Sequence, residues 1–259
     1  MVATSFHDLF SRLRPGASAH AAGIARGYGA TTARTITATD GLTRLRCASL
    51  LKPLYAWAAA EHLDTARWAE HAEPAVVVSS NADTLGLWLS VGPHVILDGI
   101  ARRTGVAWSP PSADLSRFGS VEVAADEVAT AYAALAQAAL AGDPVADTVL
   151  GWMRQVGAGQ TFGAREVAGV ADAAVKCGWY GAADETTLRT HAVVVLPQAG
   201  TDVTVAVALT AQPYTVEKDR QVYRDNVAKG LPVEDVHEAA GGELLRGLLA
   251  TTLRELGAV

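Results

Sequence analysis

The sequence predicts an α+β fold in which one antiparallel sheet is built from both ends of the chain, with a helical segment inserted between them. Three observations carry this. Short strand-like runs with small residues and turn signals, SAHAAGIARGYGA and TARTITATD, stand near the start. Longer β-branched runs, AAVKCGWYG, THAVVVLPQ and VTVAVALTAQ, come in the last third, separated by turns as in an antiparallel meander. Between about Thr65 and Gln155 the pattern is helical.

Taken in order, Phe6, Leu9, Phe10 and Leu13 recur at helical spacing, and Arg14-Pro15-Gly16 closes that first helix. The two short strands follow. From Ser49 to about Leu63 an Ala/Leu-rich pattern predicts a helix, and LGLWLSVG, PHVILDGIARRTG, ADEVATAYAALAQAALAG and DTVLGWMRQVG extend the helical region. After the three β-branched runs, GGELLRGLLATTLREL closes the chain as an amphipathic helix with its leucines on one face. One domain over 1–259 is expected, with an α/β part from about 1–47 and 166–259 and a helical part from about 48–165.

Composition narrows the function. The chain has 259 residues, half of them hydrophobic, and a net charge of -6, which suits a soluble globular protein. The pairs Arg44/Arg46 and Arg102-Arg103 are too short for the clustered basic patch of a nucleic-acid surface. No apolar run approaches the ~20 residues of a membrane span. The start, MVATSFHDLFSRLRPG, lacks the apolar stretch of a secretory signal, so a cytoplasmic setting is expected. Cys47 and Cys177 are then expected as thiols rather than a disulfide. No cofactor or metal is expected, no nucleic-acid or membrane partner, and the oligomeric state stays open.

The chemistry lies in the lysines. There are only four, Lys52, Lys176, Lys218 and Lys229, and Lys52 stands inside an apolar run three residues after Ser49. Burying a lysine is costly unless it is paired or used. At this spacing the two side chains share a helical face, and a desolvated lysine has a lowered pKa and can take a proton from the serine. In VVVSSNADT, Ser79 and Asn81 can point at one pocket, while Ser-Ser-Asn before a helix also suits an N-cap. In VKCGWYG, Lys176 precedes Cys177 and Gly178 in a strand, where a glycine allows another backbone to approach.

In that order, Ser-x-x-Lys, Ser-x-Asn and Lys-x-Gly, the sequence resembles the class A serine β-lactamase and penicillin-binding-protein superfamily over nearly its whole length. The resemblance implies a β-lactamase/transpeptidase-like fold with Ser49 as the acylated nucleophile and Lys52 as its proton acceptor. Ser79 would pass the proton to the leaving group, Asn81 would hold the substrate's amide or ester, and Lys176 would raise the local potential. Cys177, Gly178 and Trp179 would form the substrate-binding strand, with the backbone N–H groups of Ser49 and Trp179 as the oxyanion hole. Trp179 and Tyr180 either wall the pocket or pack on a helix.

Three departures qualify this. Ser80 stands where the family has an aspartate, and Cys177 replaces a hydroxyl residue. The stretch RRTGVAWSPPSADLSRFGS has neither the family's deacylating glutamate nor the asparagine that follows it, and Asp114 is its only acid. Acylation machinery therefore looks intact, while β-lactam recognition and water activation look degraded. The expected activity is a serine acyl-transfer hydrolase acting on a small-molecule ester or amide. The alternatives are a β-lactamase deacylating through Asp114 or a Lys52-activated water, and a non-catalytic relative that traps penicillins.

Overall fold

The computed structural model describes residues 5–27, 30–38, 44–167, 169, 173–181, 187–197, 202–214 and 216–258. Tyr28, Gly29, Thr39, Asp40 and Gln198, read above as parts of strands, lie outside these. Five strands form the main sheet: β1 (Ser18–Gly27), β2 (Ala30–Ala38), β5 (Ala174–Tyr180), β6 (Thr187–Pro197) and β7 (Val203–Pro213). Their order is β2-β1-β7-β6-β5, every neighbour antiparallel, so the two ends of the chain meet at the β1–β7 seam. Two further short strands, β3 (Leu45–Arg46) and β4 (Glu122–Val123), pair with each other.

The near-continuous apolar character of the last strands has a direct cause. Side chains alternate across a strand, and here both faces of the sheet are covered. Val203, Val205, Val207 and Leu209 of β7 join one hydrophobic cluster, and Ala206 and Ala208 join the other. The first cluster is shared with the helices α2 (Lys52–Ala59), α3 (Thr65–Val77), α4 (Asn81–Val91), α5 (Pro93–Thr104), α6 (Ala125–Leu140) and α7 (Pro144–Arg154). The second lies under α1 (Phe6–Phe10) and α10 (Glu243–Glu255), whose Leu245, Leu248, Leu249 and Leu253 are buried against the sheet. Among the described residues no single helix is long and apolar enough to cross a membrane, and α4 and α5 meet at 88°.

Two differences from the sequence reading have physical reasons. The helix predicted from Ser49 begins at Lys52: Ala48 has φ +50°, and residues 48–51 form a turn whose Leu50 N–H donates to Cys47 O. Helices α8 (Glu217–Lys229) and α9 (Glu234–His237), the latter running through a π turn at Glu238–Gly242 into α10, have no counterpart in the pattern reading. Among the residues of α8 only Tyr223 is buried, so almost no apolar periodicity marks it.

Candidate active site

Helix α2 is buried along its whole length, Lys52 included, and carries that lysine into the interior. The turn before it holds Ser49 and is gripped from two sides. On one side Cys47 N–H donates to Val121 O at 2.8 Å and Ala48 N–H to Gly119 O at 2.9 Å, fastening the turn to the segment 118–121. On the other side β5 presses against it. A Cβ added at Gly178 would lie 2.7 Å from Leu50 N and 2.9 Å from both Ser49 N and Cys47 O, so only glycine lets the strand come this close. Behind β5, the cross-strand neighbour of Gly178 is His191, whose Nε2 donates to Arg46 O at 3.0 Å while Nδ1 accepts from Thr210 N–H at 3.2 Å. Burial pushes this imidazole down to about 4, so it is neutral and ties β6 to the strand that leads into the Ser49 turn.

Ser79 follows α3 in the left-handed region, φ +56°, a costly conformation for a serine and one that clusters at functional sites. Ser80 then takes the N-cap of α4, its hydroxyl accepting from Asp83 N–H at 3.2 Å and donating to the Asp83 carboxylate. With the cap assigned to Ser80, Ser79 and Asn81 on either side are left for the site. Hydrogen bonds from Ser80 and from His71 at 3.0 Å hold the Asp83 carboxyl below the usual range.

The three stations meet at two amines. Lys52 Nζ donates to Ser79 O at 2.6 Å and to Asn81 Oδ1 at 2.8 Å, and lies 3.3 Å from Ser79 Oγ, whose O–H a free amine can accept. Lys176 Nζ donates to the same Ser79 Oγ at 2.9 Å. Both amines are fully buried. Burial first, and the neighbouring Lys176 charge second, push Lys52 down to about 6. Burial lowers Lys176 to about 8. At neutral pH the site therefore holds one free amine and one ammonium, joined through a single hydroxyl. The ring of Phe118 lies beside Lys52, its centroid 5.4 Å from Nζ.

Ser49, Ser79 and Asn81 line one cavity of about 320 Å³, with Phe118, Trp179 and Tyr180 among its walls. The Trp179–Tyr180 pair thus walls the pocket. Among the described residues the Lys52 hydrogen bonds go to Ser79 and Asn81 and none reaches Ser49, which shares the cavity with them. Cys177, expected at the substrate, is placed elsewhere. Strand alternation puts it on the face opposite Lys176 and Gly178, where it is buried in the second cluster with its thiol against Thr161 O at 3.4 Å. Both cysteines are free and buried, and burial pushes each thiol up to about 12. Asp114 is exposed, bound by Ser116 Oγ at 2.6 Å, and lines a neighbouring cavity instead. Glu127 is engaged by Arg44 at 2.6 Å and by Trp108 Nε1 at 2.7 Å. Among the described residues no group of three or more His, Cys, Asp or Glu is placed to hold a metal. Sequence reasoning missed Phe118 and the backbone clamp around it, which no side-chain pattern announces.

The sheet order, the buried helix behind Ser49 and the meeting of the Ser-x-x-Lys, Ser-x-Asn and Lys-x-Gly stations define the fold of class A β-lactamases and penicillin-binding proteins. Solved structures agree in fold over nearly the whole chain. The penicillin-binding protein PBP-A superposes with TM-score 0.63 at 15% identity, covering 99% of this chain and 98% of that one. A β-lactamase from Xanthomonas campestris gives 0.61 at 14%, covering 97% of both chains. One from Streptosporangium roseum gives 0.59 at 15%, covering 98% of this chain and 97% of that one. No protein-family model matches the sequence, and no curated protein matches it.

Proposed function

We propose that the protein is a serine acyl-transfer enzyme that forms an acyl-enzyme on Ser49 and passes the acyl group of a small ester or amide to water or another acceptor. One observation carries the reading: a buried free amine and a buried ammonium share the hydroxyl of Ser79 at the cavity lined by Ser49. Lys52 accepts the Ser49 proton as Ser49 Oγ attacks the carbonyl carbon, and the carbonyl π pair moves onto oxygen. The oxyanion is met by the backbone N–H groups of Ser49 and Trp179, brought together by the close approach at Gly178. Collapse expels the leaving group, which takes a proton through Ser79 from the lysine pair. Asn81 orients the substrate's amide or ester.

The discharge of the acyl group is the slow half of the cycle. Phe118 places an aromatic ring beside Lys52, and among the described residues lining the Ser49 cavity none is acidic. Without a positioned carboxylate the water step loses on the order of 10²–10⁴ in rate. The experiment is intact mass and stopped-flow absorbance with 4-nitrophenyl hexanoate. A burst of one nitrophenol per enzyme, a hexanoyl adduct mapped to Ser49, and a slower steady phase are expected, all absent from Ser49→Ala. An unchanged burst in Ser49→Ala contradicts the proposal. A β-lactam arm belongs in the same experiment, because a variant of PBP-A, similar in fold at 16% identity, is an acyl-enzyme complex with penicillin G. Slow deacylation predicts a long-lived penicilloyl adduct rather than rapid turnover.

A further inference from the structure

Resting on that reading, we infer that the acyl group this site takes is anionic, with Arg117 as the partner of its carboxylate. The Ser49 cavity opens beside a larger one of about 580 Å³, and Arg117 and Ser120 line both. Arg117 therefore stands at the junction, in reach of anything that extends from Ser49 toward the larger space. Its guanidinium donates to Tyr180 Oη at 3.3 Å, across from the segment that carries it to the strand that carries Trp179. That is a long bond to a neutral phenol, using one of five guanidinium N–H groups.

The nearby acids make no direct bond to it, although the Asp114 carboxylate feels its charge. Asp114 accepts from Ser116 N–H at 2.9 Å and Ser116 Oγ at 2.6 Å, Glu127 is held by Arg44, and among the described residues Arg117 makes no ion pair. Phe118, next in the chain, and Tyr180 form apolar walls on either side, suited to a short methylene chain. An acyl donor with a terminal carboxylate then meets Arg117 at the junction; among the described residues no acidic side chain lines the Ser49 cavity, and the larger one is lined by Arg44 and Arg46 as well as by Asp114 and Glu122. A carboxylate also answers the guanidinium in a two-bond geometry that the phenol cannot supply. The substrate class is the monoester or monoamide of a dicarboxylic acid.

The test compares 4-nitrophenyl hexanoate with the mono-4-nitrophenyl ester of adipic acid, of the same chain length with a carboxylate in place of the terminal methyl. Rates are corrected with Ser49→Ala for spontaneous ester cleavage. The enzyme is expected to acylate at Ser49 about tenfold faster, in kcat/KM, with the adipate ester. Raising the ionic strength lowers this ratio, as does Arg117→Gln, and Arg117→Lys retains part of it. Salt dependence in the unaltered enzyme keeps the test free of any folding defect in the variants. A ratio near one, or a ratio that Arg117→Gln leaves unchanged, overturns the inference while a hexanoyl-Ser49 adduct leaves the acyl-enzyme reading standing. Absence of an adduct with either ester overturns both.

Discussion

Replacing Lys52 by methionine is expected to lower the acylation rate by about 10³-fold or more while making the protein more stable. The first effect follows from losing the base: general-base catalysis supplies ~10²–10⁴ in rate, and no other free amine stands beside Ser79 at neutral pH. The second follows from what the amine costs. Lys52 falls from its ordinary value of 10.5 to about 6, so at pH 7 folding strips a proton that the unfolded chain retains. Methionine fills a similar volume without that penalty; Asn81, which is exposed, can turn its carbonyl to water, while the Ser79 carbonyl loses its 2.6 Å partner at a cost of ~1–3 kcal/mol, which offsets part of the gain. The net gain is on the order of 2 kcal/mol, a rise of several degrees in Tm. The sign with pH is definite. Between about pH 6 and 10.5 the unfolded chain binds one more proton at this position than the folded protein, so wild-type stability climbs with pH through that window. Lys176 adds to the climb above about pH 8. Urea titrations at several pH values check both points: Lys52→Met should begin higher and climb less, and a variant less stable than wild type at pH 7 contradicts the account.

Gly178→Ala is the second large effect. The added methyl would sit under 3 Å from three backbone atoms of the Ser49 turn, none of which can move aside as a flexible side chain would. The turn is pinned from behind by the Gly119 and Val121 carbonyls, so β5 has to give. Separating the Ser49 and Trp179 N–H groups costs about 10²-fold in kcat, the scale of one lost oxyanion donor. Overpacking costs ~1–3 kcal/mol of stability. Gly151→Ala in α7 is the control. A methyl there meets nothing within 4 Å, and replacing a mid-helix glycine should stabilise by ~0.5–1 kcal/mol without touching activity.

The sequence made the sheet legible because its last strands are covered on both faces and so read as near-continuous apolar runs, and it made Lys52 legible because a lysine amid CASLLKPLYAW has few structural uses. The order of the three motif stations supplied their meeting point, which spacing along a chain does not. Cys177 was misplaced although the needed signal was present. Lys176 and Gly178 share one strand face, and alternation puts the residue between them on the other. Phe118 and Arg117 were not legible at all. Their positions follow from backbone bonds between Gly119 and Ala48 and between Val121 and Cys47, and any residue type can make those bonds. The start of α2 was missed for a similar reason, since the positive φ of Ala48 belongs to a residue that ordinarily favours helix.

Having only four lysines makes one measurement direct. With ¹³C at the lysine ε position, the Lys52 and Lys176 signals can be assigned from Lys52→Met and Lys176→Met and followed through a pH titration. The account predicts one amine titrating near 6 and the other near 8. Titration of Lys52 at its ordinary 10.5 would mean that no free amine waits beside the Ser79 hydroxyl at neutral pH, and the acyl-transfer site would lose its base.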